Sequence, residues 1–313
     1  VGDNAAGAVT TGIQNTLVGS EAGDALTDAD YNVAVGVGAL GADTLGSKST
    51  ALGRNTLTTQ NFTTATDAYN VAVGYNAGSS VTTAINSTLI GAAAGAAVTS
   101  GASNTLVGYL SGFALSTGNS NTVLGYSALA ADTLGDRNVA VGMQALAAQN
   151  FTTTTDSYNT AVGYDAGNDV STGIWNTLVG ANAGDALSDA DYNVAVGVNA
   201  LGADTLGSRS TAIGQGALEA QNFTTATDAY NVAVGTQAGK LVSTGTHNTL
   251  VGGLAGDAIT TGIRLTGLGY GALSTETSGR AAVGVGFNAL ATRNVASNLE
   301  SYNVAVGSGV GSA

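Results

Sequence analysis

Few residues of this chain could do chemistry. Its 313 residues include one His and no Cys, so neither a thiol nucleophile nor a thiolate metal site can form. A Ser–His–Asp triad would have to use His247, which belongs instead to a repeated column of residues described below. We therefore expect no catalytic residue, no enzymatic activity and no cofactor.

Acidic residues are the other candidate ligands, and Asp residues recur in two similar segments. The weak calcium candidates are Asp24, Asp28, Asp30, Asp185, Asp189 and Asp191. Calcium needs several converging oxygen ligands, and the chain lacks the calcium-binding nonapeptide of β-rolls. We interpret these residues as solvated turn acids and expect no bound metal.

Charge and hydropathy argue against two kinds of partner. The formal net charge is −13, whereas phosphate contact needs clustered Lys and Arg, so we do not expect nucleic-acid binding. No apolar run approaches the ~18 residues of a membrane-spanning helix, so we expect no membrane span.

Aromatic and basic residues share one column, five residues before a repeated glycine. The candidate ladder in this column is Arg137, Tyr158, Trp175, Tyr192, Arg209, Tyr230, His247 and Arg264. Neighbours one repeat apart would stack through aromatic and cation–π contacts. Two interpretations stay open: a structural ladder or subunit seam, and a platform on which glycans stack.

A glycine repeat positions these residues. The repeat glycines run from Gly2 to Gly307 in steps of 17 residues, apart from four steps of 21. This spacing gives super-repeats of about 2–74, 74–163, 163–235 and 235–307, with no break in composition between them. The repeat predicts a single solenoid domain over residues 1–313.

The three residues before each repeat glycine have the pattern of a β-strand. The third residue before the glycine is Thr or Val, and the residue directly before it is Val, Leu or Ile. Such alternation predicts a strand, and its recurrence predicts parallel pairing from coil to coil. We expect the Thr/Val and aliphatic positions to be buried, and the Ala positions two before and three after the glycine to let neighbouring chains approach closely.

Each coil also carries one large aliphatic residue that can fill the interior. It is Leu four residues after the glycine in some coils, as at Leu40, and an aliphatic residue seven after it in the others, as at Leu26. A missing side chain would leave a costly void, so the two positions substitute for one another. The sequence thus predicts an all-β protein, a parallel β-solenoid with 17-residue and 21-residue coils.

An Asn column lies four residues before the repeat glycines. It contains Asn15, Asn32, Asn70, Asn104, Asn121, Asn138, Asn159, Asn176, Asn193, Asn231, Asn248 and Asn303. Stacked amides can hydrogen-bond from coil to coil and satisfy turn backbone. We interpret the column as a structural ladder; the alternative is a row of amides that binds a ligand.

The 21-residue coils carry related insertions that begin near Gln60, Gln149, Gln221 and Asn294. Extra residues must leave the regular coil as loops, which are common places for binding. Phe62, Phe151 and Phe223 in these loops are either exposed anchors or lids that fold back. We favour lids because the loops are so alike.

Two stretches resemble known repeats: Asn32-Val-Ala-Val-Gly36-Val-Gly-Ala-Leu40 and Asn159-Thr-Ala-Val-Gly163-Tyr-Asp-Ala-Gly167. They resemble the head repeats of trimeric, YadA-like autotransporter adhesins and the "NTAVGYxAL" repeats of phage tail fibres. The resemblance implies a left-handed parallel β-roll in which three chains share a core. The coils here are longer than is typical of adhesin heads.

The sequence and the resemblance together predict a non-enzymatic structural fibre shaft for attachment. It would be a phage tail fibre or a surface adhesin segment, located outside the cell, on the cell surface or on a virion, with a cell-surface glycan or receptor as a partner. We expect a homotrimer because so thin a roll buries little surface and has no disulfides. The alternatives are a monomeric solenoid, a self-polymerising extracellular filament subunit and an ice-binding solenoid. The expected burial of the Thr/Val column argues against ice binding.

Overall fold

The computed structural model describes residues 1–295, 299–300 and 302–312. This part of the chain contains short β-strands and no helix, so none of it forms a helix long and apolar enough to cross a membrane. Contacts group the chain into two units, Val1–Tyr158 and Asn159–Ala313. Both units are built from the same coil, and the prediction of one uninterrupted domain stays a prediction.

The first unit holds strands β1 to β12. They are β1 Thr16–Val18, β2 Val33–Val35, β3 Gly46–Ser47, β4 Thr50–Leu52, β5 Thr66–Asp67, β6 Val71–Val73, β7 Thr88–Ile90, β8 Thr105–Val107, β9 Thr122–Leu124, β10 Gly135–Asp136, β11 Val139–Val141 and β12 Thr155–Asp156. Each three-residue strand ends directly before a repeat glycine, as the sequence pattern predicts.

The second unit holds strands β13 to β23. They are β13 Thr160–Val162, β14 Thr177–Val179, β15 Val194–Val196, β16 Gly207–Ser208, β17 Thr211–Ile213, β18 Thr227–Asp228, β19 Val232–Val234, β20 Thr249–Val251, β21 Thr266–Leu268, β22 Val283–Val285 and β23 Val304–Val306. The two-residue strands pair as β3–β5, β10–β12 and β16–β18. In each pair, the second strand belongs to a 21-residue coil and the first to the coil before it.

Three-residue strands of successive coils pair in parallel and in register. Thr16 lies opposite Val33, and Val18 opposite Val35. The register is kept across a 21-residue coil, where Thr50 lies opposite Val71, so the extra residues leave the strand stack undisturbed. The prediction of a parallel β-solenoid with 17-residue coils is therefore confirmed.

The repeat glycines have a backbone that other residues rarely adopt. Their φ angles lie between 130° and 149°, a region that is occupied almost only by glycine. The backbones of neighbouring coils also approach closely there: a Cβ on Gly252 would lie 2.5 Å from the carbonyl carbon and oxygen of Gly269. Both the dihedral angle and the close approach therefore require glycine.

The prediction of which strand face is buried is wrong. The middle residue of each three-residue strand is buried, except Leu17 in β1, which is half-buried. The flanking Thr/Val and aliphatic positions are exposed or half-buried; Val18 is 41% exposed and Leu124 49%. Alternation shows which residues share a face but not which face is inside. The columns two before and three after the glycine, which are mostly Ala, point into the interior and do not form a contact surface for a neighbouring chain. The first of these columns also holds larger side chains that are fully buried, Leu89, Leu106 and Leu178.

The rule for large interior residues is confirmed. Leu40 and Leu57 are fully buried four residues after their glycines, and Leu26 and Val81 are buried seven after theirs. Val9 of the first coil is half-buried. Every coil that has Leu four residues after its glycine carries a polar residue seven after it.

Neighbouring glycines provide a test of the backbone requirement. We expect Gly252→Ala to lower the free energy of unfolding by at least ~3 kcal/mol, because it adds backbone strain and a steric overlap. Gly253→Ala is the matched control: its Cβ would lie 3.4 Å from the Tyr270 ring, an ordinary contact, and we expect a change within ~0.5 kcal/mol. Chemical denaturation followed by circular dichroism measures both. Equal effects would contradict the requirement.

Candidate functional site

The aromatic and basic ladder is present as stacked side chains at the edge of the strand stack. In the second unit, the rings of Trp175 and Tyr192 are parallel within 10°, with centroids 6.3 Å apart. The Arg209 guanidinium carbon lies 4.9 Å from the Tyr192 centroid and 5.8 Å from that of Tyr230. The ring centroids of Tyr230 and His247 lie 5.5 Å apart. These contacts form one run from Trp175 to His247.

The remaining ladder residues have other partners. In the first unit, the Arg137 guanidinium carbon lies 5.4 Å from the Tyr158 centroid. Arg264 forms an ion pair with Glu300, with Nη1 and Oε1 3.8 Å apart. Lys48 occupies the same column and lies 5.1 Å from the Tyr69 centroid. Basic residues thus stack on the tyrosine of the following 21-residue coil at Lys48, Arg137 and Arg209.

This geometry favours the structural interpretation of the ladder. The rings turn faces toward one another from coil to coil, although Trp175, Tyr192 and Tyr230 stay 46–47% exposed, whereas a glycan platform must present ring faces to the ligand. The left-handed backbone of the column is not special to its aromatic members either. Trp175 and Tyr192 have φ of 61° and 58°, and Ser103 and Ala281 at equivalent positions have 60° and 53°. The scaffold imposes this conformation at each place.

Exposed ion pairs join a basic residue of the ladder column to an Asp of the following 21-residue coil. Lys48 pairs with Asp67 at 2.5 Å, Arg209 with Asp228 at 2.9 Å, and Arg137 with Asp156. The hydrogen bond that Lys48 donates to Asp67 raises the pKa of Lys48. Exposed ion pairs stabilise folded proteins only weakly, so these contacts orient the loops more than they stabilise the fold.

The Asn column forms the predicted hydrogen bonds between coils. Asn193 Nδ2 donates to the Gly207 carbonyl at 2.9 Å, and its Oδ1 accepts the Ser210 N–H at 2.9 Å. The same pattern recurs at Asn32, Asn70 and Asn104. Amides that are buried and engaged in this way have no free polar group for a ligand, so the geometry supports the structural interpretation.

Five of the six calcium candidates accept hydrogen bonds from separate protein donors. Asp28 and Asp189 accept the hydroxyls of Thr11 and Thr172 at 2.5 Å and 2.7 Å. Asp30 and Asp191 accept backbone N–H groups one coil earlier, at Ile13 and Ile174, at 2.7 Å and 2.8 Å. Asp24 accepts the Asn4 amide, and Asp185 lines an open depression beside Asn182 and Glu219. Over the described ranges, no group of three or more His, Asp or Glu could hold a metal ion.

A buried polar cluster between each 21-residue coil and the preceding coil was not predicted from the sequence. Asp43 accepts hydrogen bonds from the Gln60 amide at 2.6 Å and from the Gly46 N–H at 3.0 Å, and both side chains are fully buried. Phe62 covers this cluster and is 7% exposed; Phe151 and Phe223 are equally buried, so the lid prediction is confirmed. The signal in the sequence is Asp and then Gln one coil later, each seven residues after its repeat glycine.

The outward side of the three-residue strands forms a second candidate surface, which we call the outer strand face. It consists of the two strand positions that flank the buried middle residue, and these are Thr, Val, Leu or Ile in all coils. Aromatic residues directly after the glycine border it, including the stacked pairs Tyr109–Tyr126 and Tyr270–Phe287 at 5.7 Å each. The face carries no charge, in a protein with 29 charged residues other than His.

The Asn column predicts a large penalty for loss of a buried amide. We expect Asn193→Ala to lower the free energy of unfolding by about 2–4 kcal/mol, because the Gly207 carbonyl and the Ser210 N–H would stay buried without partners. Asn61→Ala is the control, since Asn61 is exposed and accepts one hydroxyl from Thr44; we expect a loss of ~0.5 kcal/mol or less. Urea denaturation measures both, and similar losses would contradict a structural amide ladder.

Comparison with protein-family models and with curated proteins finds no match for the chain. Its similarity to adhesin heads and tail fibres therefore rests on the two quoted stretches and on the glycine repeat.

Proposed function

We propose that the chain is a non-enzymatic structural fibre shaft, in which three copies pack through their outer strand faces around a common axis. It acts outside the cell in attachment, as a phage tail fibre or as a segment of a surface adhesin. The resemblance supports this assembly and a left-handed winding of the coils.

The observation that carries the proposal is the uncharged outer strand face, which is aliphatic directly before the glycine and Thr or Val at its other position. The first unit has eight three-residue strands, which at ~4.8 Å spacing give a strip of about 35 Å. Soluble monomers rarely expose contiguous apolar patches of more than a few hundred Å². Packing against further copies of the chain would bury this strip and the aromatic residues along its border.

The ladder and the Asn column give the shaft its rigidity in this proposal. Strands of successive coils pair through their backbones, a buried Asn amide joins coils in many places, and stacked side chains do so in others. Contact with a cell-surface glycan or receptor would take place at exposed groups beside the seam. The edges of the stacked rings and the 21-residue loops are such groups.

The assembly can be tested by placing charges on the face. Light scattering should give three times the 30.3 kDa of one chain. We expect Ile90→Glu with Val251→Glu to reduce the mass to that of one chain, because burying unpaired carboxylates in an apolar seam is costly. Thr83→Glu with Thr244→Glu is the matched control, with exposed residues of the same two coils outside the strands, and should remain trimeric.

Three outcomes of this experiment would count against the trimer. A wild-type chain with the mass of a monomer at all concentrations would contradict it. A mass that grows without limit would favour the self-polymerising filament. Equal dissociation of both double variants would show that added charge, and not the face, controls assembly.

The outer strand face also favours a second candidate function, ice binding. The expected burial of the Thr/Val column argued against this function, but the column lies on the surface, exposed or half-buried. Regular rows of Thr and Val on a flat strand stack at ~4.8 Å intervals could order water. A monomer with a free face fits ice binding, whereas a trimer with a buried face does not.

The same variants test ice binding. If the face binds ice, the wild-type chain will lower the freezing point below the melting point, and Ile90→Glu with Val251→Glu will abolish this difference. The Thr83→Glu and Thr244→Glu control should retain it. Nanolitre osmometry measures the gap between freezing and melting, and a wild-type chain without such a gap would exclude this function.

A further inference from the structure

Three 21-residue coils are held by a buried carboxyl group that belongs to the preceding coil. Asp43, Asp132 and Asp204 accept hydrogen bonds from Gln60, Gln149 and Gln221 of the following coil, at 2.6, 2.6 and 2.5 Å. All six side chains are buried, Asp and Gln alike. Each carboxyl also accepts the N–H of the glycine three residues on, at 3.0 to 3.1 Å.

The same carboxyl holds the beginning of the inserted loop. Asp43 Oδ1 accepts the Phe62 N–H at 3.2 Å, and Asp204 accepts the Phe223 N–H at 3.3 Å. The Phe ring then covers the carboxyl: a Cβ on Gly46 would lie 2.1 Å from Asp43 Oδ2 and 2.7 Å from the Phe62 ring. Opening of the loop would therefore expose the carboxyl to water.

These carboxyls are buried without a positive partner. Amides, backbone N–H groups and a Phe ring are their neighbours, and no ionisable side chain in the described ranges hydrogen-bonds them. The charged groups of the same coils pair at the surface, as Lys48–Asp67, Arg137–Asp156 and Arg209–Asp228. Asp136, also buried, accepts the Asn119 N–H.

The fourth super-repeat supplies a natural comparison. Glu276 replaces the Asp and Arg293 replaces the Gln, and the two form a buried ion pair. Glu276 still accepts the Gly279 N–H at 2.7 Å and the Val295 N–H at 3.3 Å. The position therefore keeps an acid in all four copies, but only this copy supplies a cation.

We propose that Asp43, Asp132 and Asp204 form an acid-strengthened latch, in which each buried carboxyl holds its 21-residue coil more tightly when it is protonated. The shaft would then be more stable in weak acid than at neutral pH.

The direction of the pH dependence follows from burial. Burial raises the pKa of Asp43, Asp132 and Asp204, although the hydrogen bond from Gln lowers it in each case. An Asp exposed by unfolding or loop opening titrates near ~3.9. Between that value and the raised pKa, the closed state binds more protons than the open state, so stability rises as pH falls.

Asp→Asn substitution tests the latch, since it removes the charge and keeps the size. We expect the melting temperature of the wild-type chain to rise by about 5 °C or more between pH 7.5 and pH 4.8. Asp43→Asn, Asp132→Asn and Asp204→Asn together should remove much of this rise. The matched control removes three exposed acids outside the 21-residue coils, Asp3→Asn, Glu21→Gln and Asp28→Asn, and should retain it.

The control separates the latch from relief of overall charge repulsion. Equal loss of the pH dependence in both triple variants, or a wild-type melting temperature that falls in acid, would overturn the proposal. Asp185, Asp191 and Asp257, whose pKa values burial also raises, are unchanged in both variants and so cancel in the comparison.

A direct titration keeps the proposal testable if the triple variant does not fold. The carboxyl carbon of Asp43 can be assigned by NMR as the signal lost in Asp43→Asn. We expect it to titrate above the ~3.9 of an exposed Asp. A midpoint at or below that value would contradict the latch, whatever the melting curves show.

Discussion

The close approach of backbones at the glycine column is the constraint on which the rest of the fold depends. The repeat glycines have φ of 130° or more, and a Cβ at Gly19, Gly36 or Gly252 would overlap the backbone of the next coil. This fixes where each coil begins, and hence which residues of successive coils lie above one another. The strand register, the Asn column and the stacked side chains all follow from that alignment, because a periodic chain repeats its contacts once one point per coil is fixed.

Much of this arrangement can be predicted from the sequence. The spacing of Gly19, Gly36 and Gly53 gives the coil, and the alternation before each glycine gives the strand and its parallel partner. The large interior residues follow from the alternation between the position of Leu40, four residues after the glycine, and that of Leu26, seven residues after it. The Asn ladder follows from the preference of amides for turns. The stacking of Tyr192 on Trp175 follows because both stand five residues before a repeat glycine.

Two features could not be obtained in this way. The direction in which Val18 and Val35 point depends on the width of the interior, and a period of two residues is the same for either face. Valine suggested burial, but the middle strand residues such as Ala34 point inward, and Val18 and Val35 in the neighbouring column stay on the surface. The burial of Asp43 was also hidden, because an isolated acid in a turn usually meets solvent. Only its combination with Gln60 one coil later identifies an internal pair.

The pairing of a buried Asp in one coil with a buried Gln in the next coil restricts where a further coil can be inserted into the chain. A chain built from such coils changes length by duplicating or losing whole coils, and a 17-residue duplication leaves the backbone stack intact. If the duplicated piece fell between Asp132 and Gln149, however, it would separate the two side chains and leave a buried carboxyl beside an aliphatic residue. The second super-repeat contains one additional coil, and its interior residue is Leu115, placed among the aliphatic coils before Asp132. A whole inserted coil therefore disturbs the interior least beside an aliphatic coil, and most between Asp132 and Gln149, where it would separate the buried carboxyl from its amide partner.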